Sequence, residues 1–188
     1  ACLTFAIFIL SGCGDYEKGA DAYKAGDHAT SLSVFQPLAE NKGFLSFFYF
    51  VEDVISAQSK LGMMYKKGQG VTQDDKTAVK WWTLAADQGD AIAQSKLGVM
   101  YSKGRGVTQD DKTAVKWWTL AADQGYANAQ SNLGVMYERG RGVTQDDKTA
   151  VKWYRLAAEQ GYANVRSNLG VMYAFSTGLL KDYIYAHM

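Results

Sequence analysis

One proline, two cysteines and two histidines are all that 188 residues provide of those types, and each scarcity closes off a kind of chemistry. Both cysteines, Cys2 and Cys13, stand near the N-terminus, so no disulfide framework holds the body of the protein. With His28 and His187 alone, no Cys/His metal site can be assembled. No Ser/His/Asp or Cys/His set pairs a nucleophile with a base. Charge of one sign is missing too. The formal net charge is +1, which leaves no electrostatic footprint for nucleic acid. The apolar run Ala1 to Leu10 is too short to cross a bilayer as a helix. The expectation is a chain without metal, cofactor or catalytic set, and not an enzyme.

What the chain has instead is glycine and repetition. Most of its 19 glycines recur at fixed positions. Leu61, Leu97, Leu133 and Leu169 are 36 residues apart, as are Tyr65, Tyr101, Tyr137 and Tyr173. The segment GVTQDDKTAVKW begins at Gly70, Gly106 and Gly142. Self-similarity at such a period marks a stacked repeat array, in which each unit touches its neighbours and the product is an extended surface. That favours holding other molecules over enclosing a substrate.

The unit reads as two helices. Ala93, Leu97, Met100 and Tyr101 form one helical face, and Gly104 and Gly106 stop the helix. Thr108-Gln109-Asp110-Asp111 resembles a capping box with acidic groups at a positive helix end. Ala114, Val115, Trp117, Trp118, Ala121 and Ala122 give the second helix a wide apolar face, closed by Gly125. Gly98, Ala121 and Ala122 let helix axes approach, with Trp117 and Tyr101 expected to fill the remaining space. The predicted fold is all-α, an α-solenoid of helix-turn-helix repeats with a 36-residue period (an α/α superhelix).

The pattern LGxMYxxGxGVTQDDxxAVxWWxxAAxQG, read from Leu97 to Gly125, resembles the Sel-one-like repeat family, a tetratricopeptide-like group. The resemblance covers Ala57 to Gly178, and Gly26-Asp27-His28-Ala29 through Gly43 resembles a degenerate first unit. It implies an adaptor or scaffold between proteins. Some disulfide-rich members bind or cleave β-lactams, but this chain lacks their paired cysteines and that activity is not carried over. At the N-terminus, Leu10-Ser11-Gly12-Cys13 is similar to the bacterial lipobox, which implies export and a lipid on Cys13. Gly14 in place of Asp removes the usual inner-membrane retention signal. No Met and no basic residue precedes the apolar run, so the chain reads as lacking its first residues. The expected organisation is a signal-like segment at 1–13, a degenerate cap at 14–43, an aromatic insertion at 44–56, tandem repeats at 57–178 and the start of an incomplete helix at 179–188.

Two departures break the period. Leu38 and its counterpart Leu84 are 46 residues apart, and the surplus lies within FLSFFYFVED. It is read as a packed extension of the next helix, with an exposed aromatic patch as the alternative. The fourth unit offers Val165, Leu169, Met172 and Tyr173 but stops before its second Trp helix. An exposed apolar end and self-association through Val165 to Met188 are expected.

Other motifs carry less. The pairs Asp74/Asp75, Asp110/Asp111 and Asp146/Asp147 suit helix capping better than calcium, which needs six to eight oxygens at one point. Lys103-Gly104-Arg105-Gly106 and Arg139-Gly140-Arg141-Gly142 read as solvated loops neutralised by those Asp pairs. Positions that differ between near-identical repeats mark candidate contacts with a partner: Gln94, Lys96, Ser102, Tyr126, Gln130, Asn132, Glu138, Tyr162, Arg166 and Asn168, with Lys66 and Asp90 varying likewise. The expected function is a non-enzymatic scaffold of the bacterial envelope, periplasmic and held at the outer membrane by lipid alone, binding a protein or peptide and no nucleic acid. An envelope hydrolase acting on β-lactam or peptidoglycan, or a truncated paralogue without function, are the alternatives.

Overall fold

The 36-residue period resolves into two helices of 13 residues, a glycine loop within the unit and a tight turn between units. In a computed structural model the described residues are 14–40, 51–162, 165, 169, 170 and 172. The segment 1–13, the stretch Phe44–Phe50 and most of the final unit lie outside them. The helices are α1 (residues 14–24), α2 (His28–Glu40), α3 (Val51–Lys67), α4 (Asp75–Asp87), α5 (Ala91–Lys103), α6 (Asp111–Asp123), α7 (Ala127–Arg139) and α8 (Asp147–Glu159). All regular structure among the described residues is helical, as an α-solenoid requires.

The chain divides into two compact units, Ala1–Ala93 with Arg105–Val107, and Gln94–Gly104 with Thr108–Met188. In the first, α3 packs on α2 and α4 around Phe35, Leu38, Val54, Leu61, Met64 and Trp81. In the second, α7 packs on α6 and α8, and Val151, Tyr154, Ala157, Val165 and Met172 are buried together.

Each second helix starts at an aspartate cap. Asp110 is extended, and its carboxylate accepts from the amides of Lys112 and Thr113. Asp74 and Asp146 cap α4 and α8. The cap is therefore Asp110 and not Thr108. Its reciprocal partner is the Thr113 hydroxyl, which donates to Asp110 at 2.6 Å.

One contact recurs in four hairpins among the described residues. A Cβ on Gly98 would stand 2.5 Å from Trp118 Nε1, so the helix backbone lies directly against the indole. Gly62 meets Trp82 in the same way, Gly134 meets Tyr154, and Gly19 meets Phe35. The indoles of Trp82 and Trp118 donate to the carbonyls of Ser59 and Ser95 at 3.2 and 3.1 Å. This corrects the role expected of Trp117: it is half-buried, and Trp118, 4% exposed, fills the hairpin. Side chains one residue apart on a helix point about 100° apart, so only one of the two can face the glycine.

The same contact sets the register of the degenerate first unit. Phe35 takes the place of Trp82, and His28 opens α2 as Asp75 opens α4. Both offsets are 47 residues, so Leu38 corresponds to Ala85 and not to Leu84. The described part of the surplus, Val51 to Val54, adds one turn to the front of α3, which has 17 residues against 13 in α5 and α7. Val54 packs into the core, whereas Val51 is 67% exposed. The expected exposure of the fourth unit is corrected at two positions, because Val165 and Met172 are buried with Ala150, Tyr154 and Ala157 of α8.

Candidate functional site

Two sets of polar groups recur with the repeat, and both hold one element to another. The first is a ladder of glutamine pairs. The Gln88 amide donates to Gln58 at 2.7 Å, Gln124 to Gln94 at 2.8 Å and Gln160 to Gln130 at 2.9 Å. Gln58 and Gln130 in turn donate to the carbonyls of Ala39 and Ala122 that end the preceding helices. Burial of these amides is tolerable because their hydrogen bonds are met. Gln94 and Gln130 are 4% and 3% exposed, so burial removes both from the candidate contact set.

The second set ties each glycine loop to the start of an earlier second helix. Arg105 donates to Asp75 at 2.9 Å, and Arg141 reaches Asp111 through two nitrogens at 3.0 and 2.9 Å. Beside each arginine the loop backbone crosses that helix end at close range. A Cβ on Gly106 or Gly142 would collide with the carbonyl of Asp75 or Asp111, and both glycines have φ near +70°. In the first loop Gln69 replaces the arginine, accepting from the Tyr23 hydroxyl at 2.8 Å, with its amide nitrogen 3.2 Å from His28 Nε2. In the first two aspartate pairs the labour is divided: Asp74 and Asp110 cap, while Asp75 and Asp111 bind the loop.

The electrostatics follow from these bonds. Donation from Thr77, Thr113 and Thr149 holds the carboxyls of Asp74, Asp110 and Asp146 below their ordinary range. Burial pushes Asp75 upward, but bonds from Lys66 and Arg105 outweigh it and leave that carboxyl lowered. Asp53 moves the other way, raised by burial and by Glu17 and Glu52.

The remaining variable positions separate by what they touch. Asp90 accepts from the Ala93 amide and from Ser59, so it caps α5. Lys66 pairs with Asp75 at 3.0 Å, Glu138 accepts from the Tyr154 hydroxyl at 2.6 Å, and Ser102 bonds back to the carbonyl of Val99. Tyr162 packs against the buried cluster of α8, and Tyr126 is half-buried at the start of α7. Lys96 and Asn132, on α5 and α7, are half-buried and hold no hydrogen bond or ion pair to any described residue. Arg166, Asn168 and Cys13 lie outside the described residues. Sequence reasoning missed the outward face of the second helices. There Lys80, Leu84, Lys116 and Leu120 are exposed, the two leucines at 40% and 49%. Their signal was available, since each Leu follows the second Trp by two residues and so lies about 200° round the helix from the ring that faces the glycine.

Helix hairpins locked by glycine against an aromatic ring, and joined by recurring polar clasps, define a helical repeat protein built to present surface. The Sel1 repeat pattern matches residues 55–90, 91–126, 127–162 and 166–188, and the chain belongs to the Sel1 repeat family. Its structure is similar to a Sel1 repeat protein from Oxalobacter formigenes, at 32% identity and a TM-score of 0.77, over 87% of this chain and 61% of that one. It is also similar to a protective antigen of uropathogenic Escherichia coli strains displaying an SLR fold, at 34% identity and a TM-score of 0.65, over 85% of this chain and 36% of that one. The chain therefore spans about three fifths and about a third of these two proteins. Helicobacter pylori cysteine rich protein B shares the fold at 19% identity and a TM-score of 0.52, over 72% of this chain and 97% of that one. Among curated proteins none matches.

Proposed function

We propose that the chain is a non-enzymatic interaction scaffold of the bacterial cell envelope, binding a protein or peptide on its surface and anchored through lipid on Cys13. The observation that carries the reading is the division of polar groups. Of the variable positions, Lys66, Asp90, Ser102 and Glu138 are committed to bonds within the chain, while Lys96 and Asn132 hold no described partner. A side chain free of internal bonds is available to a second molecule. Membership of a family whose proteins typically act as interaction scaffolds supports it. No helix among the described residues is long and apolar enough to cross a membrane. No observation favours the hydrolase or the functionless paralogue.

The test is the double variant K96E/N132R. Its thermal melting should match the parent, and its affinity for a partner cross-linked to the parent in cells should fall at least tenfold. Unchanged affinity would remove these positions from the interface.

A further inference from the structure

We propose that the solvent-facing lines of α5 and α7 bind an acidic segment of a partner polypeptide. The proposal rests on the scaffold reading above and gives the partner a chemistry. On α5, Gly98 faces Trp118, and Lys96, Val99 and Lys103 lie about 100–160° round the helix from it. Those three residues form one line, with the valine between the two charges. On α7, Asn132, Val135 and Arg139 hold the same places relative to Gly134 and Tyr154. All six belong to the second compact unit, and stacking of like repeats sets the two lines on one side of it. Lys103 and Arg139 are exposed and the other four half-buried.

Every charge on these lines is basic. Lys96, Lys103 and Arg139 hold no hydrogen bond or ion pair to any described residue. The one carboxylate of the two helices, Glu138, lies off the line and accepts from the Tyr154 hydroxyl. The second helices are built differently. Lys116 and Asp123 stand at the same spacing on α6 as Lys96 and Lys103 on α5, and Lys152 and Glu159 do so on α8. There one helix face joins opposite signs. The whole chain carries only +1, so the basic lines are a local feature and not a consequence of composition. Lys103 and Arg139 stand in last turns and suit the negative ends of their helices. Lys96 stands mid-helix, and that account does not reach it. In the first unit α3 shows the pattern on its own. Lys60, Met63 and Lys67 take the corresponding positions, with Lys60 lying 5.3 Å from the Tyr23 ring centroid and Glu52 confined to the extra first turn.

Carboxylates are the complement of such lines. Lys96 and Lys103 are about 10 Å apart along the helix axis, with Val99 between them to meet an aliphatic side chain of the partner. The Asn132 amide has both a donor and an acceptor for the partner's main chain. A bilayer would need apolar groups that project, and Val99 and Val135 are half-buried beside longer basic side chains. The fit is therefore to an acidic polypeptide and not to an anionic lipid surface.

The experiment titrates the full chain into a fluorescein-labelled peptide of glutamate, serine and leucine and reads anisotropy. Two control peptides carry glutamine or lysine in place of glutamate. The glutamate peptide should bind, and both controls should bind about tenfold more weakly or less. Its affinity should fall about fivefold between about 50 and about 300 mM salt. K96Q/K103Q/R139Q should weaken it about tenfold with melting little changed, since none of the three holds an internal bond. K116Q/K152Q, on the second helices, should leave it unchanged. K96E/K103E/R139E should transfer binding to the lysine peptide. Equal binding of the glutamine peptide, equal losses in the two glutamine-substituted variants, or binding of phosphatidylglycerol vesicles without the glutamate peptide would overturn the proposal. Partner affinity lost in K96E/N132R, with no binding of the glutamate peptide to the parent, would leave the scaffold standing and remove the acidic partner.

Discussion

Two adjacent tryptophans of one helix carry different weights. Trp118 is buried against Gly98, and Trp117 is half-buried. Trp118→Ala should cost about 3–5 kcal/mol, the usual range for a buried aromatic. Trp117→Ala should cost about 1–2 kcal/mol, in proportion to the smaller area it hides. Urea denaturation of both variants checks this, and equal losses would show that the two rings share the hairpin. Gly98→Ala is a sharper case. Alanine in a helix interior normally gains about 1 kcal/mol over glycine. Here the added methyl meets the indole ring at 2.5 Å, and overpacking of that kind costs about 1–3 kcal/mol. A net loss is expected, and a gain on the same denaturation curve would mean that the hairpin opens easily. The sequence pointed to a close approach at Gly98 because a glycine recurred inside an apolar helical face. It could not say which tryptophan met that glycine, because both lie within the arc that a helix buries.

Helix ends and loops hold the elements together through bonds that respond to pH. Asp74, Asp110 and Asp146 have carboxyls lowered by their threonine partners, and Asp75 is lowered by Lys66 and Arg105. A lowered folded-state value means that the stabilisation is present above the unfolded value and is lost as pH falls through the folded one. Thermal stability should therefore be flat near neutrality and fall below the ordinary carboxylate range. The triple variant D74N/D110N/D146N keeps the caps without titrating them, since Asn caps about as well as Asp, and its acid-side fall should be shallower. Asp53 works in the opposite sense, because its carboxyl is raised and its protonation at low pH favours the fold. Identical acid profiles in parent and variant would show that the caps do not govern acid stability. The loop clasps divide likewise between charge and shape. Arg141→Ala should cost less than about 1 kcal/mol, because the arginine is 41% exposed and solvent screens the pair. Gly142→Ala should cost more, about 1–3 kcal/mol, since its φ is +70° and its Cβ would strike the Asp111 carbonyl. The helices and caps were legible in the sequence because capping and apolar spacing are local. The clasps and the glutamine ladder were not, because their partners lie 30 residues apart and only stacking brings them together. For the same reason Gln94 and Gln130 looked like free surface: they belong to a spacing that no single helix displays.

For the whole molecule, repetition separates the residues that hold the fold from those proposed to meet a partner. Near-identity between repeats keeps the glycine–aromatic locks, the caps and the clasps in register, and it leaves few positions free to vary. Lys96 and Asn132 are two of them. Attachment is a separate matter. If lipid on Cys13 is the anchor, as proposed, Cys13→Ala should abolish acyl labelling and release the protein from membranes, because acyl chains supply the transfer energy of such an anchor. A variant that still fractionates with membranes would remove the lipid anchor from the account. The claim on which all else depends is that the variable first-helix positions meet a partner. In-cell photo-crosslinking tests it directly, with the reactive residue placed in turn at Lys96, Asn132, Lys116 and Lys152. The account predicts one discrete partner band from positions 96 and 132 and none from 116 and 152, and bands from the second-helix positions alone would contradict it.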